Sequence, residues 1–200
     1  MATRLAPSAE TISFEEFLEA YDGVHAEWVA GEAFVISPVL DRNQDIADWL
    51  TALFRVFVEE ERIGVVRSAP EAMRIGGSAR EPDLMFIAAE HFDRIKPTHI
   101  EGAPDLAVEF ISPDSRRRDR ADKFYEYEQA GVREYWLIEP GREQAEIYRL
   151  NERGVYEPAP VGDPPRLRSE VIPGLWIDPA WMWAEPLPAV KVVLKEWGLI

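Results

Sequence analysis

The sequence predicts an α/β (α+β) fold, with a mixed central β-sheet flanked by helices. Two observations predict it. Segments with apolar residues at helical spacing alternate with short apolar runs of strand character, and no repeat or long low-complexity stretch interrupts them. The chain has 200 residues, 46% of them apolar and 30% charged, enough for one large core without a covalent staple.

In chain order, "TISFEEFLEAY" starts the first helix. Ser13 and Glu16 form a capping-box pattern, and Phe14, Phe17 and Leu18 face inward. "HAEWVAGEAFVIS" reads as two short strands, or a helix end and a strand, turned at Gly31. "DRNQDIADWLTALFRVFVEE" places Ile46, Leu50, Leu53, Phe54 and Phe57 on one helical face. "GVVRSAP" and "EAMRI" read as strands, "GGSAR" as a turn, and "DLMFIAA" as a strand. A mobile segment, "EHFDRIKPTHIEGAP", leads to the strand "DLAVEFI". "SPDSRRRDRADKFYEYEQAG" is a helix with Asp114 or Ser115 as N-cap and Gly131 past its end. "REYWLIEP" and "AEIYRL" are strands, the second pairing with "VYEPAP". Residues 1–163 are expected to form the domain. Residues 164–200 form a Pro- and Trp-rich C-terminal extension carrying Trp176, Trp181, Trp183 and Trp197. Those indoles either cover the domain's own core or join a partner in a homodimer.

The absence of cysteine excludes disulfides, cysteine nucleophiles and thiolate zinc sites. The N-terminus lacks the apolar run of a signal peptide, and no stretch approaches the ~18 apolar residues of a membrane span. A cytoplasmic protein without a membrane partner is expected. The net charge of −15 makes the average surface repel nucleic acid. An anionic partner would have to meet a local basic patch or a bound metal.

Two segments open alike, "EPDLMFIAAE" at 81–90 and "APDLAVEFISPD" at 103–114. In the second, strand parity puts Asp105, Ala107, Glu109 and Ile111 on one face and Leu106, Val108 and Phe110 on the other. Asp105 and Glu109 lie roughly 13 Å apart along that strand, too far to share one ion. Asp83, on a neighbouring strand ~4.8 Å away, is the better partner for Glu109. A salt bridge from Glu109 to Arg74 or Arg80 is the other reading. Lys123 has a plain reading as the i,i+4 partner of Asp119 on a solvated helix face. Arg116, Arg117 and Arg118 read either as a solvated helix start or as a phosphate-facing one. The three histidines, His25, His91 and His99, have no metal-ligand spacing. There is no P-loop, dinucleotide-binding glycine motif or nucleophile elbow.

Over roughly residues 12–160 the chain resembles the Uma2 family of restriction-endonuclease-like bacterial proteins. "AEWVAGEAFVIS", "REPDLMFI", "GAPDLAVEFISPDSRRRD", "DKFYEYEQAGVREYWLIEP" and "AEIYRL" carry the resemblance. The family looks like a branch of the PD-(D/E)XK nuclease superfamily. The resemblance implies a restriction-endonuclease-like core and a metal-dependent DNA endonuclease that hydrolyses phosphodiesters with Mg²⁺ or Mn²⁺. By position, Asp83 matches the Pro-Asp aspartate and Glu109 the second acid. Where the superfamily has its lysine this chain has Ile111, and Lys123 on the following helix fits the role. Asp83, Glu109 and Lys123 are then the catalytic set, and Asp83, Glu109 and Glu27 the metal ligands. The alternative, motivated by Ile111 and the charge of −15, is a catalytically inactive nuclease-fold protein acting in binding or assembly.

Overall fold

The computed structural model describes residues 11–36, 41–113 and 115–200. Helix α1 (Phe14–Ala20) carries the expected capping box: the Glu16 amide donates to Ser13 Oγ at 3.2 Å, and the Ser13 amide to Glu16 Oε2 at 2.7 Å. Strands β1 (Ala26–Val29) and β2 (Glu32–Val35) form a hairpin turned at Ala30 and Gly31, both with positive φ. Of the two readings of this segment, the two-strand one is observed. Its last residue, Ser37, lies outside the described residues.

Helix α2 (Asp41–Glu61) follows, then β3 (Gly64–Ser68), β4 (Met73–Ile75), β5 (Ser78–Arg80) and β6 (Leu84–Ala88). The "GGSAR" segment is a turn only at its glycines. Ser78, Ala79 and Arg80 form β5, which joins β4 to β1 and is buried throughout. Three residues are too few for a period to show. The segment expected to be mobile carries a 3₁₀ helix (Ala89–Arg94) and β7 (Ile100–Glu101), the latter parallel to β4. Next come β8 (Leu106–Phe110), a π-helical turn (Arg118–Asp122) and α3 (Lys123–Ala130). Gly131 ends α3 in the left-handed region, as expected. Of the two candidate N-caps, Asp114 lies outside the described residues. Ser115 exchanges hydrogen bonds with Ser112: each hydroxyl accepts from the other's amide.

Strands β9 (Glu134–Glu139), β10 (Gln144–Leu150) and β11 (Tyr156–Pro158) complete a six-stranded sheet of order β11-β10-β9-β8-β6-β3. Its β8–β9 pair is parallel and its other pairs antiparallel, so α3 is the crossover that a parallel pair needs. A second sheet runs β2-β1-β5-β4-β7. The expected mixed sheet flanked by helices is therefore present, with the first eleven strands divided between two sheets.

Period-two alternation sorts the six-stranded sheet into two apolar faces. Leu84, Phe86, Leu106, Val108, Phe110 and Trp136 meet Ile46, Leu50, Leu53, Phe54 and Phe57 of α2. Met85, Ile87, Ala107, Ile111, Tyr135 and Leu137 meet Tyr127 of α3. The chain beyond residue 164 forms β12 (Leu167–Arg168), β13 (Trp176–Ile177), α4 (Pro179–Trp183) and α5 (Val190–Glu196). Its Leu167, Ile172, Leu175, Ile177, Met182 and Val193 belong to the α2 cluster. The Trp197 ring meets Phe57 edge-on at 5.3 Å, and the Trp49 indole donates to the Pro188 carbonyl at 2.7 Å. Among the described residues, no helix is long and apolar enough to cross a membrane.

Candidate active site

Glu109 is the one acid inside the apolar run of β8, and it stands on the α3 face of the sheet with Ala107 and Ile111. The antiparallel register Leu84↔Val108, extended by one step, brings Asp83 opposite Glu109. The Asp83 carboxylate is held there by the Phe110 amide, which donates to its Oδ2 at 2.7 Å. Glu27 arrives from β1 in the other sheet.

Helix α3 supplies the cation. In the π-helical turn the Lys123 amide bonds the Arg118 carbonyl, and Tyr135 Oη donates to the carbonyl of Asp119 at 3.1 Å. Asp119, Lys123 and Tyr127, spaced by four, all point inward and are all buried. Lys123 Nζ lies 2.7 Å from Glu27 Oε1, 2.8 Å from Glu109 Oε1 and 3.7 Å from Asp119 Oδ1. Tyr127 Oη donates to the same Glu109 oxygen at 2.7 Å. Two readings are corrected here. Lys123 is 2% exposed, so its ion pair with Asp119 is not on a solvated face. Glu109 bridges to Lys123, while Arg80 grips Glu126 through two nitrogens and Glu27 at 2.9 Å. Arg74 faces Glu101 and Glu15 at the surface.

Four acids (Glu27, Asp83, Glu109, Asp119) thus meet three cations (Lys123, Arg80, Arg118), and Arg80 is shared with Glu126. Burial and the neighbouring charges show in the titrations. Burial raises Glu109 to about 8 against the pull of Lys123. Burial raises Asp83 to about 6, although the Phe110 amide favours its charged form. Burial alone would raise Glu27 too, but Lys123, Arg80 and Arg118 together hold it at about 2. Burial works against the charge on Lys123, but Glu109, Glu27 and Asp119 outweigh it and raise its pKa.

The donor set suits a hard divalent cation at two of the three expected ligands. Glu109 Oε2 and Asp83 Oδ1 carry no protein partner among the described residues, and neither is a buried unpartnered atom, so both are open. Glu27 is different. Its Oε1 takes Lys123 and its Oε2 takes Arg80, with Arg118 4.0 Å away, so the expected third metal oxygen is already neutralised by cations. Among the described residues, no three acids or histidines are gathered as a ready cation site. Asp119 Oδ1 and Arg118 Nε are buried without a hydrogen bond, 3.6 Å apart.

Other predicted residues lie around this cluster. Arg116 pairs with Glu139, and Arg118 faces Glu27 and Asp119, whereas Arg117 is exposed. Asp105 stays out of the site: it accepts the Ala88 amide at 2.8 Å and holds His91 Nδ1 at 3.0 Å, with Arg133 3.7 Å away. Sequence reasoning gives Tyr127 no role and takes Asp119 only as a solvated partner of Lys123. Their four-residue spacing about Lys123 was the available signal.

The Uma2 family model, described as "Putative restriction endonuclease", matches residues 14–180. Among solved structures, the chain resembles the crystal structure of "a putative nuclease belonging to DUF820" from Anabaena variabilis ATCC 29413. That likeness has a TM-score of 0.70 at 18% identity and covers 86% of this chain and 97% of that one. No curated protein matches the chain.

Proposed function

The chain belongs to the Uma2 family, and from that premise we propose that it is a metal-dependent DNA endonuclease acting at Asp83, Glu109 and Lys123 with Mg²⁺ or Mn²⁺. One observation carries the reading: a fully buried lysine, delivered from α3, lies against the one acid of an apolar strand, with a second acid across the register. A buried charge is costly to keep, and such constellations concentrate at functional sites.

Asp83 and Glu109 would hold the ion through their open oxygens. When bound, the ion would polarise a phosphoryl oxygen and lower the pKa of a water. Lys123 does the rest of the electrostatic work. It favours the charged form of Glu109, and its own charge offsets the negative charge that builds on the phosphoryl group in the transition state. Tyr127 fixes the Glu109 carboxylate by holding the oxygen that Lys123 also holds, which turns the other oxygen outward. Of the three arginines predicted to face phosphate, Arg117 is the exposed one, while Arg116 and Arg118 face acids.

The test is cleavage of plasmid and single-stranded DNA with Mg²⁺ or Mn²⁺, comparing the wild type with Asp83→Ala and Glu109→Ala. The variants are expected to lose at least about a hundredfold in rate. Cutting by both variants at the wild-type rate would sink the proposal.

A second reading has its own observation. Lys123 is already neutralised between Glu27 and Glu109, as in a structural ion-pair network. A nuclease fold retained for binding or assembly would look like this, and added metal would not change its melting temperature.

A further inference from the structure

A cleft of about 250 Å³ opens beside Asp83, between the first half of α2 and the loop of Ala69 and Pro70. His25, Asn43, Thr51 and Ser68 line it together with Asp83. Asn43 is 4% exposed, yet its amide makes no hydrogen bond among the described residues. Neither polar atom of Asn43 is among the sealed, unpartnered ones, so the amide faces the cleft. A buried amide without a protein partner is costly, and one facing a cleft is a recognition group awaiting a ligand. An amide offers both donors and an acceptor, the combination that reads the edge of a nucleobase. His25, also in the cleft lining, adds an aromatic ring on which a base can stack.

Size and charge narrow the ligand. Ligand clefts usually span ~300–1,000 Å³, so this one suits a single small unit. Duplex binders instead line their contact face with free Lys and Arg. Here Arg116, Arg118 and Arg120 all face acids, and the chain carries −15 overall.

We propose that this cleft is a single-nucleotide subsite. It takes one unpaired nucleotide, whose base bonds Asn43 and lies against His25 and whose phosphate would be directed to the cation that Asp83 would hold. The substrate class is therefore single-stranded or frayed nucleic acid rather than intact duplex. This rests on the nuclease reading above and adds the substrate to it.

The test is fluorescence anisotropy of the full chain in Ca²⁺ with a labelled 12-nucleotide single strand and a blunt hairpin of the same sequence. The single strand should bind at least about tenfold more tightly than the hairpin. Asn43→Ala should weaken single-strand binding about tenfold, the effect of one lost base contact. Asn43→Asp, which keeps the shape and adds an acid to the first turn of α2, should fold readily and weaken binding as well. With one or two phosphates contacted, raising salt from 50 to 200 mM should cost less than about tenfold, against ~10³–10⁵ for a duplex binder. Absent single-strand binding, a hairpin bound as tightly, or unchanged binding by both Asn43 variants overturns the subsite. Cleavage in Mn²⁺ separates the two readings. Single-strand binding through Asn43 without any cutting refutes the nuclease and keeps the subsite. Cutting that no Asn43 variant alters refutes the subsite and keeps the nuclease.

Discussion

Replacing Lys123 with Met keeps most of the stem and removes the charge. Glu27 and Glu109 then lose a partner at 2.7 and 2.8 Å, and Asp119 one at 3.7 Å, all in a buried site. Two routes give the size of the effect. At ~1.4 kcal/mol per pKa unit, holding Glu27 at about 2 instead of its ordinary 4.5 corresponds to about 3 kcal/mol, shared among Lys123, Arg80 and Arg118. Removing one partner of a buried ion pair costs ~3–5 kcal/mol. For a chain of this length that is a fall in melting temperature of roughly 6–20 °C. The pH dependence has a definite sign. In the wild type the depressed Glu27 pKa contributes stability that is present above about pH 4.5 and lost as the pH falls toward 2. In Lys123→Met, burial is less opposed, so the acids take up protons more readily and unpaired charge accumulates as the pH rises. The deficit should therefore be larger at pH 8 than at pH 5. Glu27→Gln in the same background should recover part of it. Calorimetry at the two pH values reads both effects. A deficit below about 2 °C, or one equal at pH 5 and 8, would refute the picture of Lys123 as a charge that keeps Glu27 ionised.

Two further outcomes are expected. Asp83 at about 6 and Glu109 at about 8 bind protons that a cation must displace. The rise in melting temperature caused by Mn²⁺ should then grow from pH 5.5 to 8.5 and vanish in Asp83→Asn; a rise as large at pH 5.5 contradicts it. Asp105→Ala strands the Ala88 amide and His91, so it should cost ~1–3 kcal/mol while leaving the Mn²⁺ effect intact. Loss of the Mn²⁺ effect in that variant would place Asp105 in the site after all.

The sequence was most legible where a period acts within one element. The alternation along β8 separates Leu106, Val108 and Phe110 from Ala107, Glu109 and Ile111, and the apolar members of the two sets enter different clusters. The face of α2 follows in the same way from its helical spacing. What the sequence left open depends on contacts between elements. Glu109 could meet an arginine or a lysine, and only the placement of α3 against the sheet decides for Lys123. Glu27 has the chemistry of a metal ligand, yet the arrival of Arg80 on β5 turns it into a counter-ion for two basic side chains. Because β5 has only three residues, its pairing with β1 left no periodic trace.

The absent lysine at Ile111 has a physical account in the same geometry. Ile111 is 2% exposed and lies in the apolar cluster with Tyr127 and Tyr135. A lysine there would place its charge among aromatic rings. Residue 123 offers a different approach, because its side chain enters from the helix above the sheet and meets Glu109 head-on. The π-helical turn supports that approach, since the phenol of Tyr135 bonds the carbonyl of Asp119 at the helix start. The same helix face carries Tyr127 to Glu109, so one element both delivers the cation and orients the acid. The two Pro-Asp-Leu segments divide accordingly. Asp105 binds the Ala88 amide and His91 outside the site, whereas Asp83 stands across from Glu109 with an oxygen free.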